Sequence, residues 1–240
     1  MLNDVLPENI LFLDIETVPA YPAYTDLPDV DRKLWDKKAA GLVKDHETAA
    51  DIYGRAGIYA EFGKIICIST GLVVSKMEER FFRVKSFFGT DEKILLADFA
   101  EMLSRFEKRK DVNLCAHNGK EFDFPYIARR MLVNGIVIPD ILDVSGKKPW
   151  EVKFLDTMEL WKFGDNKHYT SLNLLTHIFG IPSPKDDIDG SQVAECYYIQ
   201  NDLNRIATYC EKDTLAVAQL FMRYKGLPQI TPENVERVNG

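Results

Sequence analysis

Cysteine is scarce in this chain, at four residues in 240, and no Cys-x-x-Cys pair occurs. That excludes a disulfide framework, and Cys67, Cys115, Cys196 and Cys210 read as reduced packing residues, three of them inside apolar or helical patterns. Histidine is equally sparse, with four in all, and His117 and His168 do not stand in metal-ligand spacing, so a histidine-based zinc reading has little support. No window approaches the roughly 18 consecutive apolar residues of a membrane span, and the first residues lack a basic start, an apolar run and a small-residue cleavage site. The expectation is a cytoplasmic protein with no membrane partner. Positive charge is also short: the formal net charge is -7. No global field would attract a polyanion, and any nucleic-acid binding must rest on local basic patches and bound metal. Internal repeats and low-complexity segments are absent too.

What is present is a chain 46% hydrophobic and long enough for one α/β domain with a sizeable core. Ile10 to Ile15 is a near-continuous apolar run ending in acid, the pattern of a buried strand whose functional end is its carboxyl side. Residues 19 to 60, with prolines 19, 22 and 28 and helical periodicity from Asp31 to Leu42, read as a mostly helical insertion. Lys64 to Val74 and Arg80 to Phe88 are rich in β-branched and aromatic residues and predict an antiparallel hairpin. Asp91 to Lys108 has a 3.6-residue apolar period behind Thr90 as cap. Val112 to Ala116 predicts a short strand, with a helix following through Ile127 to Val133 and closing near Gly135. Lys147 to Lys153 reads as a basic loop. Ser171 to Phe179, Ser191 to Gln200 and Leu203 to Tyr224 predict helices, the last capped by Asn201 or Asp202 and followed by Gly226. The order implies a mixed sheet with helices packed on it.

The chemistry starts at Asp14 and Glu16. Two apart on a strand, they project from one face, about 6 to 7 Å apart along it. Paired acids at the end of an apolar strand need protonation, a basic partner or a metal; the plainer alternative is a solvated turn. Asp123, in His117-Asn118-Gly119-Lys120-Glu121-Phe122-Asp123-Phe124-Pro125-Tyr126, stands at a helix start, where capping is the simpler reading. Tyr209 and Asp213 share a face of the last helix, beside the stripe Leu203, Ile206, Ala207, Cys210, Thr214, Val217 and Phe221. Each alone would pass as a boundary residue.

Their joint order and form decide otherwise. Asp14-Ile15-Glu16-Thr17 after an apolar strand, His117-Asn118-Gly119 with Phe122-Asp123-x-Pro125-Tyr126 after another, and Tyr209-x-x-x-Asp213 on a late helix resemble the three exonuclease motifs of the DEDD superfamily, in its DEDDy group. The chain is most similar to predicted exonucleases related to the proofreading domain of family B DNA polymerases. That resemblance also takes in residues 55 to 65 (RAGIYAEFGKI) and 188 to 193 (IDGSQV), and covers about residues 10 to 223. It implies an α/β, ribonuclease-H-like fold with a mixed five-stranded sheet flanked by helices, one 3′-5′ exonuclease domain over residues 1–240, and hydrolysis of single-stranded nucleic acid to 5′-mononucleotides. It also implies two divalent cations, Mg²⁺ or Mn²⁺, held by Asp14, Glu16, Asp123 and Asp213: Asp14 shared by both ions, Glu16 and Asp213 completing one site, Asp123 acting through water at the other, and Tyr209 orienting the attacking water. Ile15, Thr17, Asn118 and Phe122 would touch the terminal nucleotide, although Phe122 also reads as core and Asn118 as a turn residue.

Three readings stay beside these. Trp150, among Lys147, Lys148 and Lys153, offers a stacking surface for single strands, with a solvated loop as the duller account. Asp156 either caps the helix after it or lies near the site, and the cap is the favoured reading. DNA is favoured as substrate over RNA by the polymerase-like resemblance, in proofreading in trans, repair or degradation; an exoribonuclease or a silent nucleic-acid-binding module is the alternative, the latter disfavoured because all four carboxylates are present.

Overall fold

The computed structural model describes residues 2, 4–77, 79–165, 169–182 and 187–238. The apolar run at the start forms β1 (Ile10–Pro19), longer than its hydrophobic signal because the chain stays extended through the acidic pair. Between it and the hairpin lie α1 (Asp29–Ala39) and two 3₁₀ segments, Tyr24–Asp26 and Tyr53–Ile58. This insertion has its own small core around Trp35, fully buried against Tyr53, Tyr59 and Phe62, with its indole N–H donating to the Ala49 carbonyl at 2.8 Å.

The hairpin is β2 (Gly63–Lys76) and β3 (Glu79–Phe88), paired antiparallel. Next come α2 (Glu92–Phe106), β4 (Asn113–Ala116) and α3 (Asp123–Val133). Asp91, not Thr90, caps α2, its carboxylate accepting from the Lys93 and Ile94 N–H groups; a carboxylate reaches the free N–H groups of the first turn and favours the positive end of the helix dipole. The second half runs β5 (Leu155–Asp156), α4 (Thr157–Lys162), α5 (Leu172–Phe179), α6 (Val193–Glu195) with a π turn at Cys196–Gln200, α7 (Leu203–Tyr224) and β6 (Val235–Arg237). Asp202 is the residue that caps α7, accepting from the Arg205 N–H.

The sheet order is β5-β4-β1-β2-β3-β6. The architecture is the expected mixed sheet flanked by helices, but with six strands rather than five. β5 and β6 have two and three residues, too few for an alternating pattern to show in sequence, and they exist because β4 and β3 offer them a parallel edge. The π turn is likewise invisible to a 3.6-residue period.

β1 lies at the sheet centre, parallel to β4 and antiparallel to β2. One core, with Phe99, Leu103 and Ile127, holds α2 and α3 to the sheet, and another, with Phe12, Val217 and Phe221, holds α7 against it. Glu92 ties these layers together: it accepts from the Ile65 N–H of β2, from Arg130 of α3 and from Asn134 just after α3. Among the described residues no helix is long and apolar enough to cross a membrane.

His117 follows β4 and is fixed by Thr157 Oγ1 and the Thr170 carbonyl, each at 2.9 Å. Burial lowers its pKa below 6.5, outweighing the Thr170 hydrogen bond and the Asp156 charge that raise it. On acidification the unfolded chain therefore takes up this proton first, so the His117 contribution to stability is complete above pH 6.5 and is lost as pH falls below it. Denaturant midpoints of wild type should drop between pH 7.5 and about 5.5 by more than those of His117→Gln.

Candidate active site

The pleat of β1 puts Asp14 and Glu16 on one face, opposite Ser69 and Cys67 of β2, and the register irregularity falls only after Glu16. The pair therefore keeps the two-residue spacing that points both carboxylates the same way. Glu16 is buried, and Asp14 is partly exposed.

α3 begins at Asp123 itself; the capping position belongs to Phe122, which makes no side-chain cap bond. Freed from capping, the Asp123 carboxylate is buried and accepts from the Ile15 backbone N–H, which ties it to β1. α7 supplies the rest. Tyr209 and Asp213 are both buried, deeper than boundary residues would be, and the Tyr209 hydroxyl donates to Asp213.

Electrostatics show the convergence. Loss of solvent, then the charges of Asp213, Glu16 and Asp123, push the Asp14 carboxyl well above the usual carboxylate range. Asp123 is pushed up to about 7, mainly by burial, with Asp156 and Asp213 adding to it. Tyr209 is raised as well, by burial first and then by Asp213, Glu16 and Asp14, so its phenol keeps its proton at any working pH. Four carboxylates gathered from three elements cannot all ionise in a low-dielectric pocket without compensating positive charge. Carboxylate oxygens are hard donors suited to Mg²⁺ or Mn²⁺, so the residues present fit divalent cations.

Two residues contribute more than the roles their own segments favour. Cys210, read as core, directs its Sγ at the Asp14 carbonyl and carboxylate at 3.3 and 3.4 Å, and its sulfur and one oxygen each of Asp14 and Glu16 lie within 4.8 Å of one another. Asp156 caps α4 as expected, accepting from Met158 and Glu159, but the same buried carboxylate also accepts from the Asn118 and Lys120 N–H groups. It thereby shapes the loop between β4 and α3. A polar side chain after an apolar strand was its only signal in sequence.

The expected substrate residues divide. Thr17 is partly exposed and its hydroxyl donates to Tyr126 Oη, which in turn donates to the Gly57 carbonyl at 2.8 Å. Asn118 turns the chain in the left-handed region at φ 62, and its buried Oδ1 has no hydrogen-bond partner, leaving an acceptor in hand. Gly119 follows because an added Cβ would stand 2.4 Å from that of Ala116. Phe122 is partly buried on the Tyr126 ring, with centroids 5.4 Å apart. Ile15 has its side chain in the core, so only its backbone reaches the site.

The basic loop does not join them. Lys147 and Lys153 lie beside Asn113, at the amino end of β4. Asn113 is opposite Ile10, four residues before Asp14, or roughly 13 Å away at the strand rise. Trp150 is exposed with Lys148 over its ring, which fits a solvated loop. His168 lies outside the described residues.

Residues 58–237 match the family described as predicted 3′-5′ exonucleases related to the exonuclease domain of PolB. The chain belongs to this family. A DNA polymerase of Pyrococcus glycovorans is similar at 23% identity over 215 residues, which cover 81% of this chain and 27% of the polymerase. The chain thus spans about a quarter of the length of that relative. The segment matched to the exonuclease family holds Asp123, Tyr209 and Asp213 but begins after β1. Asp14 and Glu16 meet Asp123, Tyr209 and Asp213 through the fold, because β1 is the strand on which α7 and the start of α3 both close.

Proposed function

We propose that the chain, as one exonuclease domain over residues 1–240, removes nucleotides from the 3′ end of single-stranded DNA, using two divalent cations held by Asp14, Glu16, Asp123 and Asp213. The observation that supports it is the convergence of those carboxylates, seen in the combined push of Asp213, Glu16 and Asp123 on Asp14. When bound, Mg²⁺ or Mn²⁺ supplies Lewis-acid polarisation of the phosphate and neutralises charge that builds on it.

The protein's own part is positioning. β1 and α7 hold Asp14, Glu16 and Asp213 at fixed separation, and the Ile15 N–H fixes Asp123. Tyr209, whose hydroxyl donates to Asp213, orients the attacking water. In this reading Ile15, Thr17 and Asn118 contact the terminal nucleotide and Phe122 packs against its base, which the resemblance in motif supports. DNA is preferred over RNA because the similar full-length protein is a DNA polymerase.

Digestion of 3′-labelled and 5′-labelled single-stranded DNA with Mg²⁺, Mn²⁺ or EDTA, beside a matching RNA, tests this. Stepwise loss from the 3′ end, abolished by EDTA and faster on DNA, is the expected result. Faster cutting of RNA would make the protein an exoribonuclease; binding without cutting under either metal would make it a silent module. Tyr209→Phe removes one donor and little volume. Its turnover should fall roughly a hundredfold, while the melting temperature stays close to that of wild type.

A further inference from the structure

A hard-cation pocket built from carboxylates alone would treat soft cations as poor substitutes, yet here a thiol stands inside ligand distance. Cys210 Sγ, an Asp14 oxygen and a Glu16 oxygen lie within 4.8 Å of one another. The thiol is fully buried on α7 and already points at Asp14 Oδ2, 3.4 Å away. Asp14 is the partly exposed member of the three and provides the way in. The neighbouring buried sulfur, Cys67, lies beside Cys210 but does not belong to this triad.

We propose that Asp14, Glu16 and Cys210 form an alternative, inhibitory site for a thiophilic divalent cation of the Zn²⁺ or Cd²⁺ class. The inhibitory half rests on the exonuclease reading above; the binding half does not. Soft d¹⁰ cations favour thiolate ligands and accept a mixed sulfur and oxygen set, whereas Mg²⁺ and Mn²⁺ gain nothing from sulfur. On binding, the Cys210 S–H bond breaks, its sulfur bonds to the cation and the proton passes to buffer, with no change of oxidation state. Asp14 and Glu16 are then engaged on the Cys210 side and are lost to the hard cations they would hold.

Titration of the full chain with Cd²⁺ alone tests it. Wild type and Cys67→Ser should develop a thiolate-to-cadmium charge-transfer absorption saturating at one ion per chain, and Cys210→Ser should not. In the DNA digestion with Mg²⁺, Zn²⁺ should inhibit wild type at concentrations at least about tenfold lower than Cys210→Ser. Cys210→Ala, with circular dichroism beside it, shows that loss of the band is not loss of the fold. Absence of the band in wild type, or an equal band in Cys210→Ser, overturns the proposal. A band confined to chains with Cys210, in a protein that cuts neither DNA nor RNA, would sustain the site and overturn only the nuclease reading.

Discussion

Asp14→Asn should lose roughly a thousandfold or more in turnover, about 4 kcal/mol of barrier, and yet melt higher than wild type when both are free of metal. The two effects have one origin. Asp14 lies where burial and the charges of Asp213, Glu16 and Asp123 all disfavour its ionised form. An amide of the same shape keeps the packing, keeps an oxygen for Cys210 and removes the repulsion. Near neutral pH this should stabilise the metal-free protein by about 1–2 kcal/mol, or roughly 3–8 °C. Mg²⁺ or Mn²⁺ should raise the melting temperature of wild type in a concentration-dependent way and that of the variant far less. Calorimetry in EDTA and in metal, beside single-turnover digestion, checks both halves. A variant that lost activity and also melted lower without metal would show that Asp14 is a structural residue and not one held in a strained, charge-rich site.

Arg130→Ala should have the larger effect on stability, about 3–5 kcal/mol and on the order of 10 °C. Glu92 is buried, and Arg130 meets it with two hydrogen bonds, at 2.9 and 2.5 Å, while a third Arg130 bond reaches the Ala60 carbonyl at 2.8 Å. Truncating the arginine leaves a carboxylate and a carbonyl buried without it. The Ile65 N–H and Asn134 amide that remain on Glu92 are too few to carry a full charge. Glu92→Gln in the Arg130→Met background removes the stranded charge and should recover part of the loss, read as a coupling energy from urea unfolding of the four proteins. Equal destabilisation in the single and double variants would mean that packing of the Arg130 stem, and not the charge, is what matters.

Sequence was a good guide wherever a residue's surroundings come from its own segment. β1, the β2–β3 hairpin, α2, α5 and α7 are legible because periodicity and end signals are local, and α7 spans Leu203 to Tyr224, the bounds that its pattern predicts. The candidate site was legible for the same reason: Asp14 and Glu16 are two apart on a strand, Tyr209 and Asp213 four apart on a helix, and the motif order supplied the link to Asp123. What failed was non-local. Thr90 and Asp91 are both competent caps, and only the backbone path selects Asp91. For Asp123 the local signal alone reads as a cap, and only the loop before α3, turning at Asn118, carries it onto the Ile15 N–H as the motif order implies.

Cys210 shows the limit most plainly. Within α7 it is one more residue of an apolar stripe, and its meaning depends on β1 running beneath that stripe at Asp14. The short strands β5 and β6 likewise arise from edges offered by β4 and β3. The sequence by itself determined the fold class and the main elements and singled out the candidate acids, because strand and helix periods and the motif order are written in consecutive residues. Only the tertiary structure decided which thiol meets which carboxylate, where Asp156 spends its second set of acceptors, and that the basic Lys147–Lys153 loop sits at the far end of the sheet. Those are distances between elements, set by how separate apolar faces pack together, and no single stretch of residues encodes them.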